Sequence, residues 1–198
     1  MAGRFIVFEG LDGSGKSTQI LRLASKLGRE KVFLTAEPTE TAIGGTIREA
    51  LSGSLKKTPF EMAALFLADR ISHNILIGKH LENGRDVICD RYYYSSFAYQ
   101  GLECDLSWVM HMNLGCSAIR RPDVCFFMDV SPSYCRQRMS QRAELEIFEK
   151  DLALMQKTRD KFFEVFSLLK DSENIKIIDA SRHIETISEE IFSLVSEI

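Results

Sequence analysis

The segment Gly10–Ser17 constrains the fold of this chain more than any other part of the sequence. It reads Gly-Leu-Asp-Gly-Ser-Gly-Lys-Ser, fills the pattern G-x-x-x-x-G-K-[ST] and directly follows the apolar run Phe5–Phe8. The glycines of this pattern let the backbone curl, so that successive N–H groups form an anion-binding concavity at the start of a helix. Apolar residues with helical spacing follow at Ile20, Leu21, Leu23, Ala24 and Leu27. A strand, a phosphate-binding loop and a helix are therefore predicted, as in the P-loop NTPase architecture.

Two side chains at the end of this loop have predicted roles with a nucleoside triphosphate. Lys16 reaches the β- and γ-phosphates as a positive charge, and the hydroxyl of Ser17 ligates Mg²⁺. The predicted triphosphate-binding residues are Gly10, Leu11, Asp12, Gly13, Ser14, Gly15, Lys16, Ser17 and Thr18. A glycine-rich turn also occurs for packing alone, but packing gives no reason for the Lys-Ser pair. The loop leaves open whether the chain is a kinase, a GTPase-type switch or an ATP-driven motor.

Apolar runs alternate with helical patterns along the whole chain. The predicted strands are Phe5–Phe8, Val32–Leu34, Val87–Cys89, Val124–Met128 and Ile175–Ile178, and the predicted helices cover about 15–28, 43–52, 59–82, 105–118, 131–141, 148–170 and 183–197. This alternation predicts an α/β fold, a five-stranded parallel sheet with helices on both faces, whose ligands lie at the carboxyl ends of the strands. Because 198 residues without an evident linker usually form one domain, we predict a single domain over 1–198.

Composition restricts the environment and the partners. The net charge of −3 gives no overall reason to expect a nucleic acid polymer. No apolar stretch approaches the ~20 residues that cross a bilayer, and no signal-type segment precedes the first strand. The five cysteines lack C-x-x-C spacing, which favours reduced packing thiols over a metal site or disulfides. We expect a soluble, cytoplasmic protein without a membrane partner.

An acidic residue and an arginine end the third apolar run. A carboxylate at the end of a strand, here Asp90, is the expected anchor of the Mg²⁺ that Ser17 helps to hold. Arg91 would bring a positive charge to the same edge, where it meets the transferred phosphoryl group. The alternative is a surface ion pair between these two neighbours.

Aromatic and hydroxyl-bearing side chains follow at Tyr92, Tyr93, Tyr94, Ser95, Ser96, Tyr99 and Gln100. They either offer a flat face and hydrogen bonds to a base or pack into the core. For Tyr93 and Tyr94 the sequence favours packing.

The stretch 137–149 is polar and charged, between two predicted helices. It is either a mobile lid or a solvated helix face. On a solvated face the arginines Arg136, Arg138 and Arg142 would make only weak ion pairs with nearby glutamates. Composition alone favours the solvated face.

Six segments, in order along the chain, resemble the thymidylate kinase family. They are Phe8–Thr18, Glu37–Thr39, Leu65–Arg70, Asp90–Gly101, Pro122–Asp129 and Ile178–Ser181. The phosphate loop is shared by many NTPases, whereas Asp-Arg-Tyr followed by Ser-Ser and Ala-Tyr-Gln-Gly is specific. The resemblance implies a kinase that uses ATP and Mg²⁺ to convert thymidine 5′-monophosphate (dTMP) into the diphosphate, a step in dTTP synthesis.

The resemblance also implies roles in an acceptor pocket. The thymine ring stacks on Phe66, Arg70 hydrogen-bonds a carbonyl group of the base, and Tyr99 disfavours a ribose 2′-hydroxyl. Asp12 holds the sugar of the monophosphate, and Arg91 grips the phosphates. The other implied pocket residues are Glu37, Pro38, Ser95, Ser96 and Gln100.

On the ATP side, the resemblance places Arg136 over the adenine face and the backbone of Ala180 and Ser181 against its edge. The phosphate loop lacks a basic residue between its glycines. In such members a lid arginine supplies the charge to the transferred phosphate, so Arg138 or Arg142 becomes a candidate catalytic residue. The choice between the two stays open.

The chain departs from the family pattern at two places. Many relatives have arginine where this chain has Ala36, which weakens the expected grip on the phosphate of dTMP unless Arg48 compensates. The lid reads Glu144–Glu149 in place of the common Asp-Arg-x-Glu pattern. A kinase for deoxyuridylate or for another nucleoside or nucleoside monophosphate, and a nucleotide-dependent switch, stay open as alternatives.

Relatives are commonly homodimers, so the resemblance implies a homodimer here as well. The helix predicted over 59–82 has an apolar face that could support it, with Met62, Leu65, Phe66 and Ile71. The alternative is ordinary core packing of the same face.

Overall fold

The structure, a computed structural model, describes residues 2–139 and 151–198. Most of the predicted lid, with Arg142, lies outside the described residues. In the described part of the chain five parallel strands form one sheet in the order β2-β3-β1-β4-β5. The strands are β1 Phe5–Glu9, β2 Val32–Ala36, β3 Asp86–Asp90, β4 Val124–Asp129 and β5 Ile175–Asp179. All five predicted strands are confirmed.

Helices follow or precede each strand. They are α1 Lys16–Leu27, α2 Ala42–Leu51, α3 Pro59–Glu82, α4 Tyr93–Tyr99, α5 Leu106–Leu114, α6 Pro132–Met139, α7 Leu152–Leu169 and α8 Ile184–Ser196, with short 3-10 helices at Arg29–Lys31 and Gln100–Leu102. The predicted start of α3 is confirmed in detail. Thr58 accepts a hydrogen bond from the backbone of Glu61, the Glu61 carboxylate accepts one from the backbone of Thr58, and Pro59 occupies the first turn.

Alternating strand residues point to opposite faces of the sheet and build two cores. Ile6 and Phe8 of β1 pack on one face in a cluster with Leu23 of α1 and Ile191 of α8. Phe5 and Val7 pack on the other face, in a cluster that includes α3, α4, α5 and α7. This two-sided burial explains why the strands read as continuous apolar runs.

Helix α4 was not predicted from the sequence, which indicated only a stretch of aromatic and hydroxyl side chains there. Tyr92, the residue before this helix, makes no capping hydrogen bond with its side chain. The helix is instead capped from a distance by Glu9, whose carboxylate accepts hydrogen bonds from the backbone N–H groups of Tyr92 (2.8 Å) and Ser95 (3.0 Å). Helix α5 is also shorter than predicted, because it ends at Leu114 before Gly115.

The central position of β1 places the phosphate loop beside the carboxyl ends of β3 and β4. Phe8 is in register with Asp90 on one side and with Phe126 on the other. The residues that follow these strands therefore meet at one edge of the sheet. Among the described helices, none has the length and apolarity to cross a membrane.

Candidate active site

The phosphate loop connects β1 to α1 through glycines that no other residue could replace. Gly10, Gly13 and Gly15 all have positive φ values, of 142°, 81° and 99°. A β-carbon on Gly13 would lie 2.6 Å from the carbonyl oxygen of Cys135, and one on Gly10 would lie 2.8 Å from that of Met128. The loop thus packs closely on the elements around it, and only glycine allows both the backbone conformation and the approach.

Lys16 is buried at the start of α1. Its amine donates hydrogen bonds to the carbonyl oxygens of Gly10 (3.0 Å) and Leu11 (3.2 Å) and lies 3.8 Å from the carboxylate of Asp12. Burial lowers the pKa of Lys16, and the nearby Arg91 guanidinium lowers it further. A bound phosphate would favour the charged amine, as the predicted role requires.

Arg91 joins the phosphate loop to helix α4. Its guanidinium donates to the Asp12 carboxylate at 2.6 Å and to the Ser95 hydroxyl at 3.0 Å, and it lies 5.4 Å from the centre of the Tyr99 ring. The backbone of Arg91 is left-handed, with φ 68°, and among the described residues it is the one non-glycine with a positive φ. This conformation is disfavoured by about 1–2 kcal/mol for a residue with a side chain, so the surrounding contacts hold it.

Glu9, at the end of β1, is fully buried and was not identified from the sequence. Besides the hydrogen bonds from the backbone N–H groups of Tyr92 and Ser95, its carboxylate accepts one from the Ser95 hydroxyl at 2.6 Å. Burial raises the pKa of Glu9, and the nearby Arg91 opposes that shift. Glu9 therefore ties the strand before the phosphate loop to the helix that carries Ser95, Ser96 and Tyr99. A glutamate that ends an apolar strand was the only sequence signal for this role.

Asp90 lines an open cleft of about 330 Å³, together with Asp12, Lys16, Ser17, Arg91 and Arg138. One carboxylate oxygen of Asp90 is buried without a hydrogen-bond partner. A buried oxygen without a partner is costly, and a cation would satisfy it. In the described residues no group of three His, Cys, Asp or Glu side chains is placed to hold a metal. The two predicted ligands, Ser17 and Asp90, both line the cleft.

Arg70 of α3, which the sequence predicts to contact a base, is only 1% exposed. Its Nε donates to Glu37 at 2.8 Å, its Nη2 donates to the Ser96 hydroxyl at 3.1 Å, and its Nη1 donates to Asn113. Phe66, one turn earlier on α3, is half-buried, as are Ser95, Tyr99 and Gln100. The structure thus brings Arg70, Glu37 and Ser96 together as predicted, whereas Asn113 was not identified from the sequence.

The loop after β2 is held by hydrogen bonds from Arg48. Pro38 follows Glu37 through a cis peptide bond. Arg48 donates to the carbonyl oxygens of Pro38 (3.1 Å) and Thr39 (2.7 Å) and pairs with Glu40. Arg48 therefore supports the loop that carries Glu37, and its suggested compensation for Ala36 stays a prediction.

Arg138 of α6, a predicted catalytic residue, contacts the phosphate loop. Its Nη1 donates to the carbonyl oxygen of Ser14 at 3.2 Å, and its guanidinium lies 4.5 Å from the centre of the Tyr134 ring. Arg136 is exposed on the same helix. The backbone N–H of Ala180 donates to Asp129, and Ser181 donates twice to the Asp179 carboxylate, through its backbone and its hydroxyl. These hydrogen bonds fix the turn after β5.

A phosphate loop after the central strand of a parallel sheet, with Lys16 and Arg91 lining one cleft at the same sheet edge, is typical of the P-loop NTPase class. The sequence profile of the family described as Thymidylate kinase matches residues 8–191. The chain belongs to the thymidylate kinase family.

Individual proteins to which the chain is similar are also described as thymidylate kinases. A probable thymidylate kinase of Pyrococcus abyssi is 38% identical over 204 residues, which cover 98% of this chain and 97% of the relative. One of Methanocaldococcus jannaschii is 38% identical over 196 residues, with 98% and 96% covered. The solved thymidylate kinase of Candida albicans has a TM-score of 0.86 at 25% identity and covers 99% of this chain and 92% of its own. That of Ehrlichia chaffeensis has a TM-score of 0.76 at 27% identity, with 98% and 99% covered.

Proposed function

We propose that this protein transfers the γ-phosphoryl group of ATP to dTMP, giving ADP and thymidine diphosphate. Family membership supports the reaction. Within the site, the observation that carries the proposal is the 2.6 Å contact between Arg91 and Asp12. It joins the loop that binds the donor phosphates to the residues assigned to the acceptor, so both nucleotides meet at one arginine.

The reaction needs positioning and charge neutralisation more than proton transfer. An oxygen of the dTMP phosphate attacks the γ-phosphorus, the bond to the bridging oxygen of ADP breaks, and that oxygen leaves with the electron pair. The acceptor phosphate is itself the nucleophile, so no general base is required. Lys16, Arg91 and Arg138 share the negative charge that spreads over the transferred group. Closure of the lid would exclude water that otherwise hydrolyses ATP.

Magnesium fits this site through Ser17 and Asp90. The partnerless oxygen of Asp90 and the hydroxyl of Ser17 both belong to the cleft, and both are the hard oxygen donors that Mg²⁺ prefers. When bound, the ion neutralises charge on the β- and γ-phosphates. Asp90 and Ser17 would hold it.

The lid arginine that serves the transferred phosphate is Arg138. The contact of Arg138 with Ser14 supports this assignment, because it places a guanidinium on the phosphate loop itself. Arg142 remains the alternative. Arg136 covers the adenine face, and the backbone of Ala180 and Ser181 contacts the adenine edge.

The acceptor pocket takes the base between Phe66 and Arg70. Arg70 donates to a carbonyl group of thymine, and its buried network supports a fixed donor position. Tyr99 disfavours a 2′-hydroxyl, Asp12 holds the sugar, and Arg91 holds the phosphate. Glu37, Pro38, Ser95, Ser96 and Gln100 complete the pocket.

The protein works as one kinase domain over 1–198, with a lid at about 137–149, and as a homodimer. Two apolar residues of α3, Ile75 and Leu76, support the homodimer, since they are 75% and 43% exposed. A reducing, cytoplasmic location is supported by the five cysteines, all of which are free thiols.

The test is ADP release with Mg²⁺ and ATP against dTMP, deoxyuridine monophosphate (dUMP), uridine monophosphate, thymidine and no acceptor. We expect strong release with dTMP, weaker release with dUMP, and little with the ribonucleotide, the nucleoside or no acceptor. One methyl group separates dTMP from dUMP, which is worth only about 1–3 kcal/mol in an apolar pocket. Equal release in every reaction would reject the acceptor pocket and leave an NTPase or a switch.

A further inference from the structure

His73 is buried beside Glu37 and has none of the roles proposed above. It lies on α3, one turn after Arg70, and is 3% exposed. Its Nδ1 is 3.0 Å from Oε1 of Glu37, and its Nε2 is 2.7 Å from the hydroxyl oxygen of Thr35 on β2. Both ring nitrogens therefore have a partner.

The chemistry of these partners fixes which ring nitrogen donates. A carboxylate paired with an arginine only accepts hydrogen bonds, so the proton that faces Glu37 sits on Nδ1 of His73. Thr35 is then free to donate its hydroxyl proton to Nε2. This arrangement selects one tautomer of the neutral ring.

The two oxygens of the Glu37 carboxylate have different partners. Oε1 accepts from His73, whereas Oε2 accepts from Nε of Arg70 at 2.8 Å and lies 2.7 Å from Nη2 of Arg70. The terminal torsion of a glutamate is broad, so a carboxylate held at one oxygen alone retains rotational freedom. Held at both oxygens, it presents a fixed acceptor to the guanidinium.

We propose that His73 is a positioning residue for base selectivity: its Nδ1–H fixes Glu37, which holds the Arg70 guanidinium where it meets a carbonyl group of the pyrimidine. This inference rests on the proposed function, in which Arg70 contacts the base. This carbonyl group is the one at C4, since the C2 carbonyl is common to thymine and cytosine. A fixed donor there favours dTMP over deoxycytidine monophosphate (dCMP), whose C4 amino group is itself a donor.

Two substitutions separate the two nitrogens of His73. The amide nitrogen of asparagine takes the position of Nδ1, so His73→Asn keeps a donor for Glu37 and loses the contact with Thr35. The longer glutamine places its amide near Nε2, so His73→Gln keeps the Thr35 side and loses the donor. The matched control is His80→Asn, because His80 lies on the same helix and stacks on Phe33, with ring centres 3.8 Å apart.

The measurement is kcat and KM for dTMP, dCMP and ATP in the wild type and in these variants, with thermal unfolding of each. We expect His73→Gln to raise KM for dTMP roughly tenfold and to lower the dTMP-to-dCMP ratio of kcat/KM roughly tenfold. A tenfold change corresponds to the loss of one hydrogen bond to a charged group. KM for ATP should stay unchanged. His73→Asn should retain the wild-type ratio, as should His80→Asn.

Several outcomes overturn the inference. A purely structural role predicts that both His73 variants lower the unfolding temperature and leave the ratio unchanged. Equal loss of selectivity in the asparagine and glutamine variants rejects the role of Nδ1. If the glutamine variant does not fold, the asparagine variant must retain the ratio and Glu37→Gln, which removes one acceptor oxygen, must lose it; either failure rejects the inference.

Arg70→Gln separates failure of this inference from failure of the proposed function. If Arg70→Gln relaxes the ratio and His73→Gln does not, only the role of His73 is wrong. If Arg70→Gln leaves the ratio unchanged, the assignment of Arg70 to the base is wrong, and the inference about His73 fails with it.

Discussion

The amine of Lys16 is held inside the phosphate loop by two carbonyl oxygens of that loop. Removing it takes away a charge from the transferred phosphates but leaves the strands and the two cores intact. We expect Lys16→Ala to reduce turnover of dTMP by about 10²-fold or more while the circular dichroism spectrum stays that of the wild type. Lys26→Ala is the control, since Lys26 lies on the same helix and pairs with Glu189. Near-wild-type turnover in Lys16→Ala would contradict the assignment.

The lowered pKa of Lys16 gives ATP binding a pH dependence. Burial disfavours the charged amine, so at alkaline pH, still below the ordinary lysine pKa of 10.5, part of the protein carries a neutral Lys16. Bound phosphates raise the pKa again, so ATP binding should take up protons in this range and weaken as the pH rises. Calorimetry in buffers of different ionisation enthalpy measures this uptake. Equal uptake by wild type and Lys16→Met would exclude Lys16 as its source.

Some residues of the site can be identified from the sequence and others cannot. Gly10–Ser17 is visible because phosphate binding demands a contiguous pattern, and Asp90 because it ends an apolar strand. The roles of Glu9, His73 and Asn113 could not be predicted, because their partners are 36 or more residues away. A single buried histidine or asparagine carries no local pattern, so only the structure reveals these supports.

Helices also differ in whether the local sequence predicts them. Helix α3 was predictable to the residue because Thr58, Pro59 and Glu61 form a local capping signal. Helix α4 has tyrosines, which favour strands, and its cap comes from Glu9, 83 residues earlier than Tyr92. A signal that depends on a distant strand cannot be read from neighbouring residues. Helix α4, which carries Ser95, Ser96 and Tyr99 of the proposed acceptor pocket, could therefore not be predicted.

The cap of α3 makes its stability depend on pH. The backbone and hydroxyl of Thr58 and the amine of Lys57 lower the pKa of Glu61 from 4.5 to about 2. In the unfolded chain Glu61 regains its ordinary value, so its stabilisation is present above pH 4.5 and is lost as the pH falls from 4.5 towards 2. We expect the difference in unfolding temperature between wild type and Glu61→Gln to shrink as the pH falls through this window.

Scanning calorimetry across that pH range is the measurement. Glu49→Gln serves as the control, because Glu49 is an exposed carboxylate in the neighbouring helix α2. A difference between wild type and Glu61→Gln that stayed constant with pH would show that the carboxylate does not cap the helix.

At the scale of the molecule, the order of the strands explains why the motifs converge. The phosphate loop follows the central strand β1, and its neighbours β3 and β4 end beside it with Asp90 and Asp129. The sequence predicted five parallel strands and all their helices except α4, but it did not predict the order of the strands. That order decides which strand ends become neighbours, and it depends on packing across both faces of the sheet.

Helix α3 has an apolar surface that could form the interface of a homodimer. The four residues that the sequence indicated, Met62, Leu65, Phe66 and Ile71, are half-buried in the structure. Ile75 lies one turn after Ile71 and is 75% exposed. Residues four apart share one side of a helix, so Ile75 extends that apolar face into solvent. A homodimer through α3 would cover it.

We expect Ile75→Glu to convert the dimer into a monomer, because a carboxylate buried at a twofold interface would face apolar side chains without a partner. Sedimentation velocity over a range of protein concentrations measures the change in mass. Leu168→Glu on α7 is the matched control, since Leu168 is 62% exposed and lies on a different helix. If Ile75→Glu stays dimeric, or if Leu168→Glu alone dissociates, the interface does not involve this face of α3. A wild type that is monomeric at every concentration would reject the homodimer altogether.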